Sequence, residues 1–132
     1  MMPVLTVWAM RAALAWLVVG FTIGAVMLAD KGLGRIGLGA GWLHVHVHAL
    51  LFGFLVQTIF AVAYWMLPRF GRDRPRTPAA AAAVAMVNLA PLLAGGLLAD
   101  APVHAAVALT EATAVAVFVW HAWPRIKPFR SS

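Results

Sequence analysis

Apolar residues run along this chain in four long blocks, separated by short segments that hold most of its charges, glycines and prolines. The first block extends from about Ala12 to Ala29 and ends at Asp30. The second runs from Trp42 to about Leu67 and stops at Pro68, the third from about Ala79 to Leu98, and the fourth from about Val103 to Trp123. A helix of about 20 largely apolar residues crosses the roughly 30 Å of hydrocarbon in a bilayer. The pattern therefore predicts an all-α polytopic membrane protein, with four transmembrane helices forming a single domain over residues 1–132. The first block is longer than a signal-peptide core of about 7–15 residues and no small-residue cleavage pattern follows it, so it is expected to be a retained helix.

The connections differ in kind. Lys31 to Gly41 is so rich in glycine that a flexible surface loop is expected, and it lacks the Gly-Lys-Ser or Gly-Lys-Thr ending of a phosphate loop. Arg69 to Pro78 is the most charged segment, and Asp100-Ala101-Pro102 makes a short turn. Inside the helices, Gly20 and Gly24 have the small-xxx-small spacing that lets another helix approach, and Pro91 is expected to kink the third helix.

Composition supports the membrane reading. Hydrophobic residues make up 64% and charged residues 11% of the chain, against about a quarter charged in a soluble domain. The absence of cysteine excludes disulfides, thiolate metal sites and iron–sulfur clusters. A formal charge of +6 would suggest nucleic acid in a soluble protein, but here the basic residues lie between apolar runs and report topology instead. With the N-terminus inside, Arg11, Arg69, Arg72, Arg74, Arg76, Arg125, Lys127 and Arg130 are cytoplasmic, and only Lys31 and Arg35 fall outside. Both termini are therefore expected in the cytoplasm, in a multi-pass protein of a bacterial-type inner (cytoplasmic) membrane. Trp42, Trp65 and Trp123, near helix ends, fit an interfacial aromatic belt.

This topology places His44, His46 and His48 near the outer end of helix two. Successive helical residues turn by about 100°, so His44 and His48 share a face while His46 points almost oppositely. One helix cannot bring all three imidazoles to a single metal, but it can serve two neighbours. Polar groups within a membrane usually face a bundle interior or cavity, and imidazole is a versatile metal and haem ligand. His104, at the start of helix four, stands at the same level and is the natural partner for a histidine of helix two. Glu111 lies two turns deeper on the face of His104, near the depth of His48. A carboxyl group there is expected to be protonated, or paired with a cation or hydrogen-bond donor. It suits a proton relay, an outer partner that orients a ligating imidazole, or an interhelical hydrogen bond. His121, near Trp120, Trp123 and Arg125, is expected at the opposite interface; Gln57, Thr58 and Asn88 are expected to bond between helices.

Helix two carries a more specific pattern. From His46 it reads His-Val-His-Ala-Leu-Leu-Phe-Gly-Phe and ends in Tyr64-Trp65-Met66-Leu67-Pro68-Arg69. This resembles subunit I of the haem–copper oxidase and nitric oxide reductase superfamily, over roughly His44 to Arg69. Phe118 to Arg125 resembles a family helix end more weakly. In one family helix the matching histidine is an axial ligand of the low-spin haem and corresponds to His46. In another, a His-x-His pair ligates the active-site haem with its first member and the low-spin haem with its second, corresponding to His46 and His48. The resemblance thus implies haem b, with copper as a second candidate, and axial ligands drawn from His46, His48, His104 and His44. The family subunit has twelve helices in three four-helix arcs, so this chain resembles one arc, and a homotrimer would rebuild the threefold arrangement. In that arrangement a haem would be shared by His46 of one protomer and His48 or His104 of the same or another. No separate helix carries the tyrosine and copper histidines of the oxidase centre, so oxygen reduction by this chain alone does not follow.

The leading expectation is a b-type haem protein for electron transfer or binding of a diatomic gas such as NO or O2, with a redox partner and no nucleic acid. Copper or zinc binding or transport through His44, His46 and His48 is the first alternative. A small proton-coupled exporter using Glu111 is the second.

Overall fold

The computed structural model describes residues 1–34, 36–39, 41–69, 74–96 and 101–126. It is all-helical, with four helices long and apolar enough to cross a membrane. Helix α1 is Val4–Leu33, α2 is Gly41–Met66, α3 is Thr77–Gly96 and α4 is Ala101–Ala122, the last extended by a 3₁₀ turn at Trp123–Arg125. The expected positions of Arg35, Arg72, Asp100, Lys127 and Arg130, and the Leu97–Leu98 end of the third apolar block, lie outside the described residues.

Helix α1 begins earlier and ends later than its apolar block. Pro3 stands at its N-cap, and Gly34 closes it in the left-handed region at φ 61°, bonding back to Asp30 O. Thr6 and Arg11 interrupt the apolar run without interrupting the helix: Thr6 Oγ1 donates to Ala61 O, and Arg11 lies over the Trp8 ring. The glycine-rich loop is better held than its composition suggests. The Asp30 carboxylate accepts the backbone N–H groups of Ile36, Gly37 and Leu38 at 2.7, 3.0 and 2.7 Å.

Helix α2 is α-helical over Gly41–His48, π-helical over Ala49–Val56 and α-helical again over Gln57–Met66. Its buried residues include Val45, Ala49, Gly53, Gln57 and Ala61, each four after the last. In a continuous α-helix a four-residue step overshoots a turn by about 40°, so this stripe would drift about 160° from end to end. The wider i→i+5 turns over half of that length reduce the drift and keep the stripe nearer one side.

Helix α2 packs on α1 along all three of its parts, the most extensive helix pair among the described residues, and α3 packs closely on α4. Two apolar clusters fill the interior. One joins Phe60 and Tyr64 to Ala80, Ala83, Val87, Ala114 and Phe118, with Phe60 and Phe118 stacked at 4.0 Å between centroids. The other joins Val45 to Ala90, Ala94 and Val107. Alanine supplies much of both, which lets the backbones approach closely. Gly20 and Gly24 serve the same purpose: a Cβ on Gly20 would lie 2.5 Å from Leu50 Cδ2, and one on Gly24 would lie 2.6 Å from His46 Cε1. Helix α3 continues through Pro91, which is buried.

Polar side chains inside the bundle bond in two ways. Gln57 Nε2 donates to Ala9 O at 2.9 Å, and Asn88 Oδ1 accepts from Trp16 Nε1 at 2.8 Å, so both tie helices together. Thr58 does not: its hydroxyl donates to Phe54 O of its own helix, where a short side chain reaches the preceding turn more easily than a neighbour.

Candidate functional site

The histidines of α2 divide between two neighbours, as their spacing implies. The His44 and His48 rings lie 4.7 Å apart between centroids, and His104 comes within 4.1 Å of His44. Phe52, one turn beyond His48, lies 6.0 Å from it on the same side. Helix α4 also brings Glu111 to His48, with Nδ1 and Oε1 2.5 Å apart. The carboxyl side chain is 5% exposed and the imidazole 15%. Glu111 borders a groove of about 560 Å³ whose walls include Phe52, Ala108, Ala112 and Ala116.

His46 turns the other way, onto α1. Its Nδ1 lies 2.8 Å from Gly20 O, and its ring rests in the space left by Gly24. It borders a second groove of about 250 Å³, with Met27, Leu28, Lys31 and Leu43. A carbonyl oxygen only accepts, so the Gly20 bond puts the proton on Nδ1 and leaves Nε2 of a neutral imidazole as the lone-pair atom. A carboxylate at Glu111 imposes the same tautomer on His48. Among the described residues no hydrogen bond engages Nε2 of either ring. This is the arrangement in which a second-sphere acceptor orients an imidazole and raises its basicity as a ligand.

Ligand convergence is limited. Among the described residues no three His, Cys, Asp or Glu side chains are grouped to hold a metal ion. His44 and His104, at 4.1 Å between centroids, leave no room for a metal between them, since each metal–nitrogen bond takes about 2 Å. His46 and His48 face different neighbours and do not meet within the chain.

The opposite end of the bundle holds a polar centre that sequence reasoning missed. His121 is fully buried within the bundle, and hydrogen bonds satisfy both ring nitrogens. Its Nδ1–H donates to Arg76 O at 3.0 Å, and its Nε2 accepts from Arg125 Nη1 at 2.9 Å. Arg125, also fully buried, donates further to Pro68 O at 2.9 Å, Tyr64 O at 3.1 Å and Leu67 O at 2.5 Å. It caps the C-terminus of α2, where carbonyls lack partners within the helix. Pro68 was the available signal: it has no N–H, so Tyr64 O, four residues earlier, loses its helical donor.

Comparison with protein-family models, with characterised proteins and with solved structures finds no match.

Proposed function

We propose that this chain is a multi-pass membrane protein that binds b-type haem through His46 and His48, for electron transfer or the binding of a diatomic gas. The observation that carries the reading is the pair of Nδ1 anchors, Gly20 O for His46 and Glu111 for His48. Each leaves Nε2 as the donor atom. Gly24 adds to the fit, because any side chain there would occupy the space of the His46 ring. The resemblance of residues 44–69 to subunit I of the haem–copper oxidase superfamily points the same way. Haem supplies one-electron chemistry or an open coordination position at iron when bound. His46 and His48 would supply the ligating imidazoles, and Gly20 O and Glu111 the second-sphere partners that set ligand strength.

The same geometry favours haem over a bare copper or zinc ion. A structural zinc site takes four protein ligands and a catalytic one three, and the described residues offer no such group. The macrocycle brings its own four nitrogens and asks the protein for one or two. Glu111 is engaged with His48, which gives it an orienting role where an exporter would need it as a proton carrier.

Because His46 and His48 face apart, a haem held by both residues would take one from each of two copies of the chain. Self-association, in the homotrimer that a single arc implies, fits that need. The test is the visible spectrum of protein purified with and without haem supplementation. A Soret band altered by both His46→Ala and His48→Ala is expected. No Soret band in either sample, with the helical fold intact, removes the proposal. Mass measurement in detergent returning a monomer or dimer removes the trimer.

A further inference from the structure

The end of the bundle at Arg125 carries an excess of guanidinium groups that the chain cannot neutralise. Arg69, Arg74, Arg76 and Arg125 all belong to it. The chain has four acidic residues. Asp30 lies in the last turns of α1 at the far end, Asp100 precedes α4 in the sequence, and Glu111 is bonded to His48. Only Asp73 belongs to the connection at this end. At most one carboxylate therefore stands against four permanent cations.

The four arginines are not equivalent. Arg125 spends its donors on carbonyls and His121. Arg69 is exposed. Arg76 donates to Trp120 O at 2.7 Å and lies 4.2 Å from the Trp120 ring centroid. Its backbone is held at φ 56°, outside the usual range for a side-chain-bearing residue. Its carbonyl, which accepts from His121 and from Ala79 and Ala80, holds that conformation in place. Arg74 lies over Tyr64, 5.2 Å from the ring centroid, and its Nε and Nη2 are shut off from solvent with no acceptor among the described residues.

Buried donors are nearly always paired, so this edge calls for an acceptor. Nε and Nη2 form the side of the guanidinium fork that meets two oxygens of one anion at once, which suits phosphate. Arg74 as a whole is only half-buried, so a rotation of its side chain brings that edge to the surface. The level is fixed by aromatic residues. Trp65, Trp120 and Trp123 are 45%, 56% and 72% exposed around the same end, as expected where a membrane's headgroups begin.

We infer that Arg74, with Arg76 beside it, forms a binding site for a phosphate group at this end of the bundle, filled by the headgroup of an anionic lipid. Basic clusters next to transmembrane helices draw anionic lipids in general. This site adds a specific fork whose contribution is separable from net charge.

The test uses the full chain in detergent, titrated with phosphatidylglycerol, phosphatidylcholine or inorganic phosphate, and read by native mass spectrometry and thermal stability. Wild-type protein is expected to bind and be stabilised by phosphatidylglycerol over phosphatidylcholine. Arg74→Gln should weaken that binding about ten-fold, the usual scale of one charge-assisted pair. Arg74→Lys, which keeps the charge and loses the fork, should fall between, and Arg69→Gln, with the same change in charge, should leave binding near wild type. Inorganic phosphate that stabilises the wild type and displaces the lipid would assign the site to the free ion and retain the phosphate chemistry. Equal losses in Arg69→Gln and Arg74→Gln, or no preference for phosphatidylglycerol and no response to phosphate, would overturn the inference.

Discussion

Replacing Gly24 by alanine sets two known effects against each other, and the structure says which is larger. Alanine is the better helix former, worth roughly 0.5–1 kcal/mol over glycine inside a helix. At Gly24 the added methyl would stand 2.6 Å from His46 Cε1 and 2.9 Å from Nδ1, closer than carbon atoms come in real proteins. The imidazole is no free end that can swing away, because Nδ1 is bonded to Gly20 O. Moving it forfeits a hydrogen bond worth about 1 kcal/mol and adds overpacking of about 1–3 kcal/mol. The net expectation is a loss of about 1–3 kcal/mol after the helix gain. Gly32, in the same helix, is the control: nothing lies within 4 Å of its Cβ position. Gly32→Ala should leave stability unchanged or raise it by a fraction of about 1 kcal/mol. Thermal unfolding of the two variants in one detergent, followed by tryptophan fluorescence, compares them directly. A Gly24→Ala protein as stable as Gly32→Ala would refute the close seating of His46 on α1. The same variant should also shift the Soret band if His46 is a haem ligand, whereas Gly32→Ala should not.

Other substitutions probe the remaining contacts. Arg125→Met strands three carbonyls at and just beyond the end of α2, together with His121, and should cost about 3–5 kcal/mol in thermal unfolding, as when one partner of a buried charged network is removed; Arg125→Lys, lacking the planar fork, should recover only part of it. A double-mutant cycle with Trp16→Phe and Asn88→Ala should return a coupling of about 1 kcal/mol for the Nε1 to Oδ1 bond, and a value near zero would dismiss it as α1–α3 glue. Glu111→Gln keeps an oxygen for His48 and should retain any haem, whereas Glu111→Ala should weaken haem retention about 10–100-fold, measured by the Soret absorbance that survives purification.

Much of the fold was legible because the bilayer-length apolar blocks coincide with helices, but their margins were not. Helix α1 reaches back to Val4, since Arg11 stays exposed on the surface and Thr6 hides its hydroxyl on Ala61 O, two ways of keeping a polar residue in a long helix. The angular argument separated His44 and His48 from His46, and depth matching brought Glu111 and His104 to the right neighbourhood. What spacing alone could not reveal was the acceptor for His46, a backbone carbonyl on α1 whose availability depends on Gly20 and Gly24 clearing the way. The burial of His121 was hidden for another reason. Its tryptophan and arginine neighbours suggested an interface, while its bonds run to Arg76 O and to Arg125, the side chain that also answers the carbonyl freed by Pro68.

That carbonyl connects the two ends of α2. Pro68 leaves Tyr64 O without its helical donor, and Arg125 of α4 supplies one. At the other end Glu111, also of α4, takes the proton-bearing nitrogen of His48. His48 and Tyr64 are separated by four four-residue steps, which in an unbroken α-helix would turn them about 160° apart. One α4 could not then engage both. The π-helical segment Ala49–Val56 lies between them and unwinds most of the difference, and His48 meets Glu111 while Tyr64 meets His121, their rings 5.4 Å apart. The irregular turn is thus what lets a single helix orient a candidate ligand at one end of α2 and cap its broken terminus at the other. An insertion or deletion within Ala49–Val56 would therefore have to sacrifice one of these two contacts.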